Sequence, residues 1–237
     1  MPILFGKRKI NKTIQKPRKK KFSYFEKLYF ELTQRFSVFW FDRMCKGQIE
    51  GTENIRNIGS GFILAANHSS YFDWLILFSL FRKRIKRRIR FVAKDKLFND
   101  LLWKSLIKAA RCIKTGESSI DVFSMKQIIT TLRYGGIVGI FPEGTRSATG
   151  ELLQGKDGVA RIACKTKVPI VPVGLSGFYE MWPKGQLLPR FGKCKIVIGE
   201  PFTANEYLCG GTPANYDSIT RSVMKKIAKL SGKIYTF

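Results

Sequence analysis

His68 is the only histidine in a chain of 237 residues that carries 43 Lys and Arg. It stands in Asn67-His68-Ser69-Ser70-Tyr71-Phe72-Asp73, five positions before a carboxylate and just after an apolar stretch. An imidazole with one ring nitrogen held by a carboxylate can use the other as a general base. Five residues along an ideal helix turn through about 500°, which leaves the two side chains roughly 140° apart. One regular helix therefore separates them, whereas a bend can join them. That requires His68 in the turn ending a strand over 62–66 and Asp73 in the first turn of the next helix, with Ser69 and Ser70 as candidate caps. Taken alone, a His near an Asp is more often structural.

A base also needs a proton to remove. Gly174-Leu175-Ser176-Gly177 is followed by Phe178, so the GxSxG nucleophile elbow fails. No carboxylate pair is marked out for sugar chemistry, and a hydroxyl of the substrate is the simpler target. A second segment, Phe141-Pro142-Glu143-Gly144-Thr145-Arg146-Ser147, ends the strongest strand pattern, GIVGIF. It belongs at the carboxyl edge of a sheet, where α/β proteins bind ligands. Arg146 is a planar donor suited to phosphate, and Glu143 can orient it or a substrate hydroxyl. Gly150 to Asp157 imitates a nucleotide-binding loop, but Asp157 stands where a Ser or Thr is needed and no strand directly precedes Gly150.

The elements that must position these groups follow from hydrophobic period. Strands are expected at Gly47–Glu50, Phe62–Ala66, Arg90–Ala93, Arg111–Lys114, Ile137–Phe141, Ile170–Gly174 and Lys195–Ile198. Helices are expected at Tyr71–Arg82, Leu97–Ala109, Ser118–Tyr134, Gly158–Thr166 and Tyr216–Leu230. Alternating strands and helices with continuous apolar strands predict an α/β domain: a mixed, largely parallel sheet flanked by helices. That domain is placed at 46–237. Ahead of it, residues 1–45 combine a basic arm with an amphipathic helix, whose Phe22, Phe25, Tyr29, Leu32, Phe36 and Phe39 recur at helical spacing. So broad an aromatic face beside nine bases in residues 7–21 is suited to a lipid headgroup layer.

The net charge of +26 calls for a polyanionic partner: nucleic acid, an anionic membrane surface or a phosphorylated substrate or carrier. A nucleic-acid surface would interleave aromatics with bases, whereas here the aromatics gather on one helix, so no nucleic-acid partner is expected. The densest basic run, RKRIKRRIR at 82–90, reads either as a solvated loop or, more often at such density, as a segment that attracts phosphate. Five scattered cysteines without CxxC spacing argue against zinc and a disulfide framework, and fit a reducing compartment. Neither a signal peptide nor a spanning run of ~18 apolar residues is evident.

Together, the NHxxxxD block and the FPEGTRS block some seventy to eighty residues later resemble the glycerolipid acyltransferase family, specifically the 1-acylglycerol-3-phosphate acyltransferases. Phe91-Val92-Ala93-Lys94 resembles that family's strand with a phosphate-facing lysine. Gly155-Lys156-Asp157-Gly158-Val159-Ala160 is similar to its FKxGxxxxA block, with Gly155 in place of Phe, and Val168-Pro169-Ile170-Val171-Pro172-Val173 matches its VPIVPV strand. Residues 47–200 are covered in all. One block departs: Ala109-Ala110-Arg111-Cys112-Ile113-Lys114-Thr115-Gly116 has Thr115 where the family's GAIPVDRG pattern has Arg, with Arg111 and Lys114 close by. That leaves the acceptor open to another lysolipid or an amine-bearing lipid. The resemblance implies acyl transfer from acyl-CoA or acyl carrier protein to the free hydroxyl of lysophosphatidic acid, giving phosphatidic acid for phospholipid biosynthesis. His68 would be the base and Asp73 its orienting partner. Lys94, Glu143, Gly144, Thr145, Arg146 and Lys156 would bind substrate. No metal and no cofactor beyond the acyl donor is implied. An acceptor that lives in the membrane, together with the basic arm, implies peripheral or monotopic attachment at the cytoplasmic face.

Overall fold

The computed structural model describes residues 23–99, 103–117, 120–207 and 215–237. The basic run 7–21, Phe22, Cys209 and the expected helix start at Ser118 lie outside them. Seven strands form one sheet: β1 Gln48–Glu50, β2 Phe62–Ala66, β3 Ile89–Lys94, β4 Ile113–Thr115, β5 Ile137–Ile140, β6 Ile170–Ser176 and β7 Lys195–Ile198. Their order is β1-β7-β6-β2-β5-β3-β4, and every neighbouring pair is parallel except β6 and β7. The expected mixed, largely parallel sheet is therefore present.

The central strands are apolar on both faces because both faces are covered. In β2, Phe62, Leu64 and Ala66 enter one core while Ile63 and Ala65 enter the other. The first core is closed by α1 (Tyr24–Phe39), α2 (Phe72–Leu80) and α3 (Lys104–Ala109). The second is closed by α4 (Val122–Arg133), α5 (Gly158–Thr166) and α7 (Tyr216–Ser231). A one-turn helix, α6 (Phe178–Met181), follows β6. At Gly174 a Cβ would come within 2.3 Å of the Leu230 carbonyl carbon, so only glycine lets α7 lie this close to β6. Of the expected helix at Leu97–Ala109, the described residues hold a 3-10 turn at Asp95–Phe98 and α3.

The first helix exposes an apolar stripe while burying two polar side chains. Ser23 and Glu26 form a reciprocal capping box at its start. Phe25, Leu28, Tyr29, Leu32, Phe36 and Phe39 all face solvent, while Gln34 and Ser37 are fully buried. The buried polar groups bond back into the helix, Gln34 Nε2 to the Phe30 carbonyl at 3.0 Å and Ser37 Oγ to the Thr33 carbonyl at 2.7 Å. The helix runs on through a π-turn at Trp40–Met44, where Phe41 is buried in the first core with Cys45. A boundary at 45/46 thus falls inside a packed core. Among the described residues, no helix is long and apolar enough to cross a membrane.

The basic run at 82–90 corrects the expectation of a phosphate site. Lys83 and Arg82 pair with Glu31, and Arg84 pairs with Asp42, fastening α2 to α1. Arg87 donates to the carbonyls of Ile55, Ile58 and Ser60 and lies over the Phe62 ring. Arg90 donates to the Arg111 carbonyl, Thr131 and Gln127. The density of charge serves internal acceptors, because Arg offers five donors that one segment can spread over several orphan carbonyls.

Candidate active site

Parallel pairing of β2 with β5, β5 with β3, and β3 with β4 brings four carboxyl ends to one edge. They deliver, in spatial order, His68, the loop 141–146, Lys94 and Thr115. His68, Gly144, Thr145, Arg146, Lys94 and Lys156 all line one cavity of about 570 Å³.

The bend proposed between His68 and Asp73 is formed. Asp73 is fully buried, and its Oδ2 accepts from His68 Nδ1 at 2.8 Å, from the Ser69 amide at 2.7 Å and from the Ser70 amide at 2.8 Å. The cap therefore differs from expectation. Ser69 contributes its backbone, and Ser70 Oγ accepts from the Phe72 amide at 3.2 Å while donating to the Trp182 carbonyl at 2.9 Å. Because a carboxylate only accepts, His68 carries its proton on Nδ1 and turns a lone pair on Nε2 away from Asp73. Nε2 has no partner among the described residues. The imidazole lies 4.0 Å, centroid to centroid, from Phe141 and 14° from parallel, and Phe141 stacks in turn on Phe91. Gly139 makes room for Phe91, since a Cβ there would sit 2.5 Å from the ring. Ring stacking and the Asp73 bond together fix the imidazole's plane and rotation.

Glu143 does not face the cavity. Its Oε1 accepts from the His68 amide at 2.7 Å and its Oε2 from the Leu153 amide at 2.9 Å. It makes no ion pair with Arg146; it holds the turn that carries His68 from behind. The Ser147 amide donates to the His68 carbonyl at 2.8 Å, so the second motif grips His68 by both backbone groups. Burial, reinforced by the charge on Asp73, pushes the Glu143 carboxyl up to about 7 against the pull of its two amide donors.

Arg146 lies with its guanidinium 3.6 Å above the Tyr71 ring, and its buried Nη1 has no hydrogen-bond partner among the described residues. A buried guanidinium nitrogen without an acceptor is costly unless a ligand supplies one. Lys94 joins it from the end of β3. Lys156 is exposed and folds its stem over Gly144, whose φ of 70° favours glycine. Thr115 reaches the cavity, but its basic neighbours do not replace the missing Arg. Lys114 is paired with Asp95 at 2.6 Å, and Arg111 is outside the lining.

Several groups at or beside the cavity were given no role by the sequence. Asn67 is buried and exchanges two hydrogen bonds with the backbone of Leu175, at 2.9 and 2.8 Å, locking the end of β2 to β6. Lys96 and Lys184 also reach the cavity rim, while Trp74, Leu97, Ile107, Met125 and Ile140 give it an apolar wall. Cys112 lies in that wall, but burial pushes its thiol up to about 12, so almost no thiolate is present at neutral pH. The arrangement thus offers a base, a cationic cradle and an apolar slot, without an activated nucleophile of its own among the described residues.

The Acyltransferase family profile matches residues 46–176. The 1-acyl-sn-glycerol-3-phosphate acyltransferase of Bacillus subtilis (strain 168) is 30% identical over 175 residues, 74% of this chain and 83% of that protein. The 1-acyl-sn-glycerol-3-phosphate acyltransferase alpha of Homo sapiens is 26% identical over 178 residues, 72% of this chain and 60% of that protein. Among solved structures, the 1-acyl-sn-glycerophosphate (LPA) acyltransferase PlsC from Thermotoga maritima aligns with a TM-score of 0.64 at 26% identity, over 89% of this chain and 83% of that one.

The raised Glu143 value has a sign that can be tested. The folded protein holds this proton more tightly than the unfolded chain, whose carboxyl titrates near 4.5. Its contribution is therefore complete below about pH 4.5 and is lost as pH rises towards 7, by up to about 3 kcal/mol. Glu143→Gln cannot titrate, and its amide NH₂ would confront one of the two backbone donors, at a cost of about 1–3 kcal/mol. Urea unfolding from pH 4.5 to 8 should show a less stable variant whose deficit shrinks as pH rises. Parallel pH curves would overturn this assignment.

Proposed function

The chain belongs to the acyltransferase family, and from that premise we propose that it transfers an acyl group from a thioester to the free sn-2 hydroxyl of lysophosphatidic acid, forming phosphatidic acid. The observation that carries the proposal is a single cavity holding the His68 imidazole, the unpartnered Nη1 of Arg146 and an apolar wall. The printed names of the bacterial and human relatives support the same acceptor.

In this mechanism His68 Nε2 removes the proton as the hydroxyl oxygen attacks the thioester carbonyl. Asp73 stabilises the imidazolium that results. Collapse of the tetrahedral intermediate breaks the C–S bond, and the imidazolium returns its proton to the departing sulfur. No acyl-enzyme is needed, in keeping with the inert thiol of Cys112. Arg146 and Lys94 hold the acceptor phosphate, with the Tyr71 ring supporting the guanidinium from below. Either acyl-CoA or acyl carrier protein suits the basic rim.

Thr115 in the lining favours a second reading, transfer to a different lysolipid, because the cavity lacks the family's Arg at that point. Product mass spectrometry with a panel of lysolipid acceptors separates the two.

We further infer that the exposed aromatic face of α1 rests on an anionic leaflet at the cytoplasmic side. A soluble helix gains nothing by exposing Phe25 and Leu32 while burying Gln34, whereas a lipid-facing one does. Each basic residue near such a leaflet adds about 1 kcal/mol.

His68→Ala should lower kcat by roughly 10²–10⁴-fold, the usual worth of a general base, with the fold retained. Near-parental turnover by the folded variant would refute the role. Arg146→Ala removes a charge-assisted contact of about 1.5–3 kcal/mol and should raise the acceptor KM more than it lowers kcat. Unchanged acceptor kinetics would remove Arg146 from the phosphate site. Phe25→Ser with Leu32→Ser should weaken sedimentation with phosphatidylglycerol vesicles without altering Tm; equal sedimentation would defeat the placement of α1.

A further inference from the structure

The segment between α6 and β7 is another place where large apolar side chains stand in solvent. Leu187, Leu188 and Phe191 are 87%, 73% and 73% exposed. This exposure is not slack chain. Pro183 to Gln186 make a turn with Gly185 at φ 93° and the Gln186 amide bonded to the Pro183 carbonyl, the type II pattern that needs glycine third. Trp182 Nε1 donates to the Gln186 carbonyl at 2.9 Å, and the Arg190 amide closes the base on the Met181 carbonyl at 2.7 Å. A rigid base therefore projects an apolar tip away from the protein.

Two observations identify what covers the tip. First, Lys184, Arg190 and Lys193 are exposed around it, and residues 181–199 contain no acid. Second, the tip continues the lipid-facing surface of α1: the Phe191 ring stacks on Trp40 at 5.7 Å and 11°, and Trp40 packs on Phe36. The base also reaches the catalytic turn. Ser70 Oγ and the Tyr71 amide both donate to the Trp182 carbonyl, and Lys184 lies on the cavity rim.

We propose that the 182–191 loop is a second membrane-contacting element, inserting Leu187, Leu188 and Phe191 into an anionic lipid surface and setting the cavity mouth against it. This rests on the lipid-facing reading of α1 and extends it. Two separated contacts fix the orientation of the protein on a plane, where one helix leaves it free to roll. An acceptor with one acyl chain then reaches Arg146 and His68 by sliding along the interface rather than by leaving it.

The test compares Leu187→Ser/Leu188→Ser with the Phe25→Ser/Leu32→Ser variant in the full-length chain. The vesicles contain phosphatidylglycerol and phosphatidylcholine, and a short-chain, water-soluble acceptor is assayed in parallel. Removing two exposed leucines should weaken vesicle binding by about tenfold or more. Turnover of a vesicle-borne acceptor should fall with it, while turnover of the soluble acceptor and the Tm stay unchanged. Unaltered binding, with the α1 variant impaired, would overturn the loop contact and leave α1 standing. Unaltered binding by both variants would overturn the membrane reading itself. An equal loss on the soluble acceptor, or conversion of a dimer to a monomer, would assign the loop to the site or to a second copy and overturn the proposal.

Discussion

The buried carboxylate of Glu143 joins segments 75 positions apart, and the rest of the site depends on that link. One oxygen takes the amide of His68 and the other the amide of Leu153, while Ser147 takes the His68 carbonyl. The second motif therefore fixes the backbone that carries His68, and Asp73 fixes its ring. Preorganisation of this kind matters because a base contributes only when its lone pair already points at the reacting proton. The link is possible because β2 and β5 are parallel neighbours whose carboxyl ends emerge side by side. A carboxylate buried there is expensive, and two amide donors offset only part of that cost.

Charge is divided unequally between structure and function. Five bases of the 82–90 run are occupied by internal partners, so their density says little about ligands. The cations that line the cavity come from scattered places: Lys94 at a strand end, Arg146 in a loop, Lys156 ahead of a helix, Lys184 in a distant turn. None belongs to a conspicuous cluster. Their convergence on one rim is a product of topology.

Polarity is likewise inverted where the chain meets its surroundings. On α1 the apolar stripe points out and Gln34 and Ser37 point in, and the 182–191 loop repeats the pattern on a smaller scale. Both features are coherent if the second solvent of this protein is lipid. Substrate supply then becomes a matter of orientation, because the apolar surface, the basic rim and the catalytic turn are linked through Trp40, Phe191 and Trp182.

Much of this was legible in the chain itself. Apolar runs and their helical alternation located the seven strands to within a few residues, since both signals are local consequences of burial on two faces or one. The pairing of His68 with Asp73 could be anticipated because a strand-turn-helix bend is also local. Hydrophobic period found the aromatic stripe of α1 but not which side the domain would cover, since Phe30, Val38 and Phe41 are as apolar as the residues they oppose. The role of Glu143 was equally hidden: a carboxylate beside an Arg reads as its partner until the fold supplies two amides from elsewhere. Asn67 meets Leu175 across 108 positions, and Lys184 reaches the rim from beyond α6. Such contacts depend on strand order and on the reversal at β7, which arise from how whole faces pack and not from any short stretch of residues.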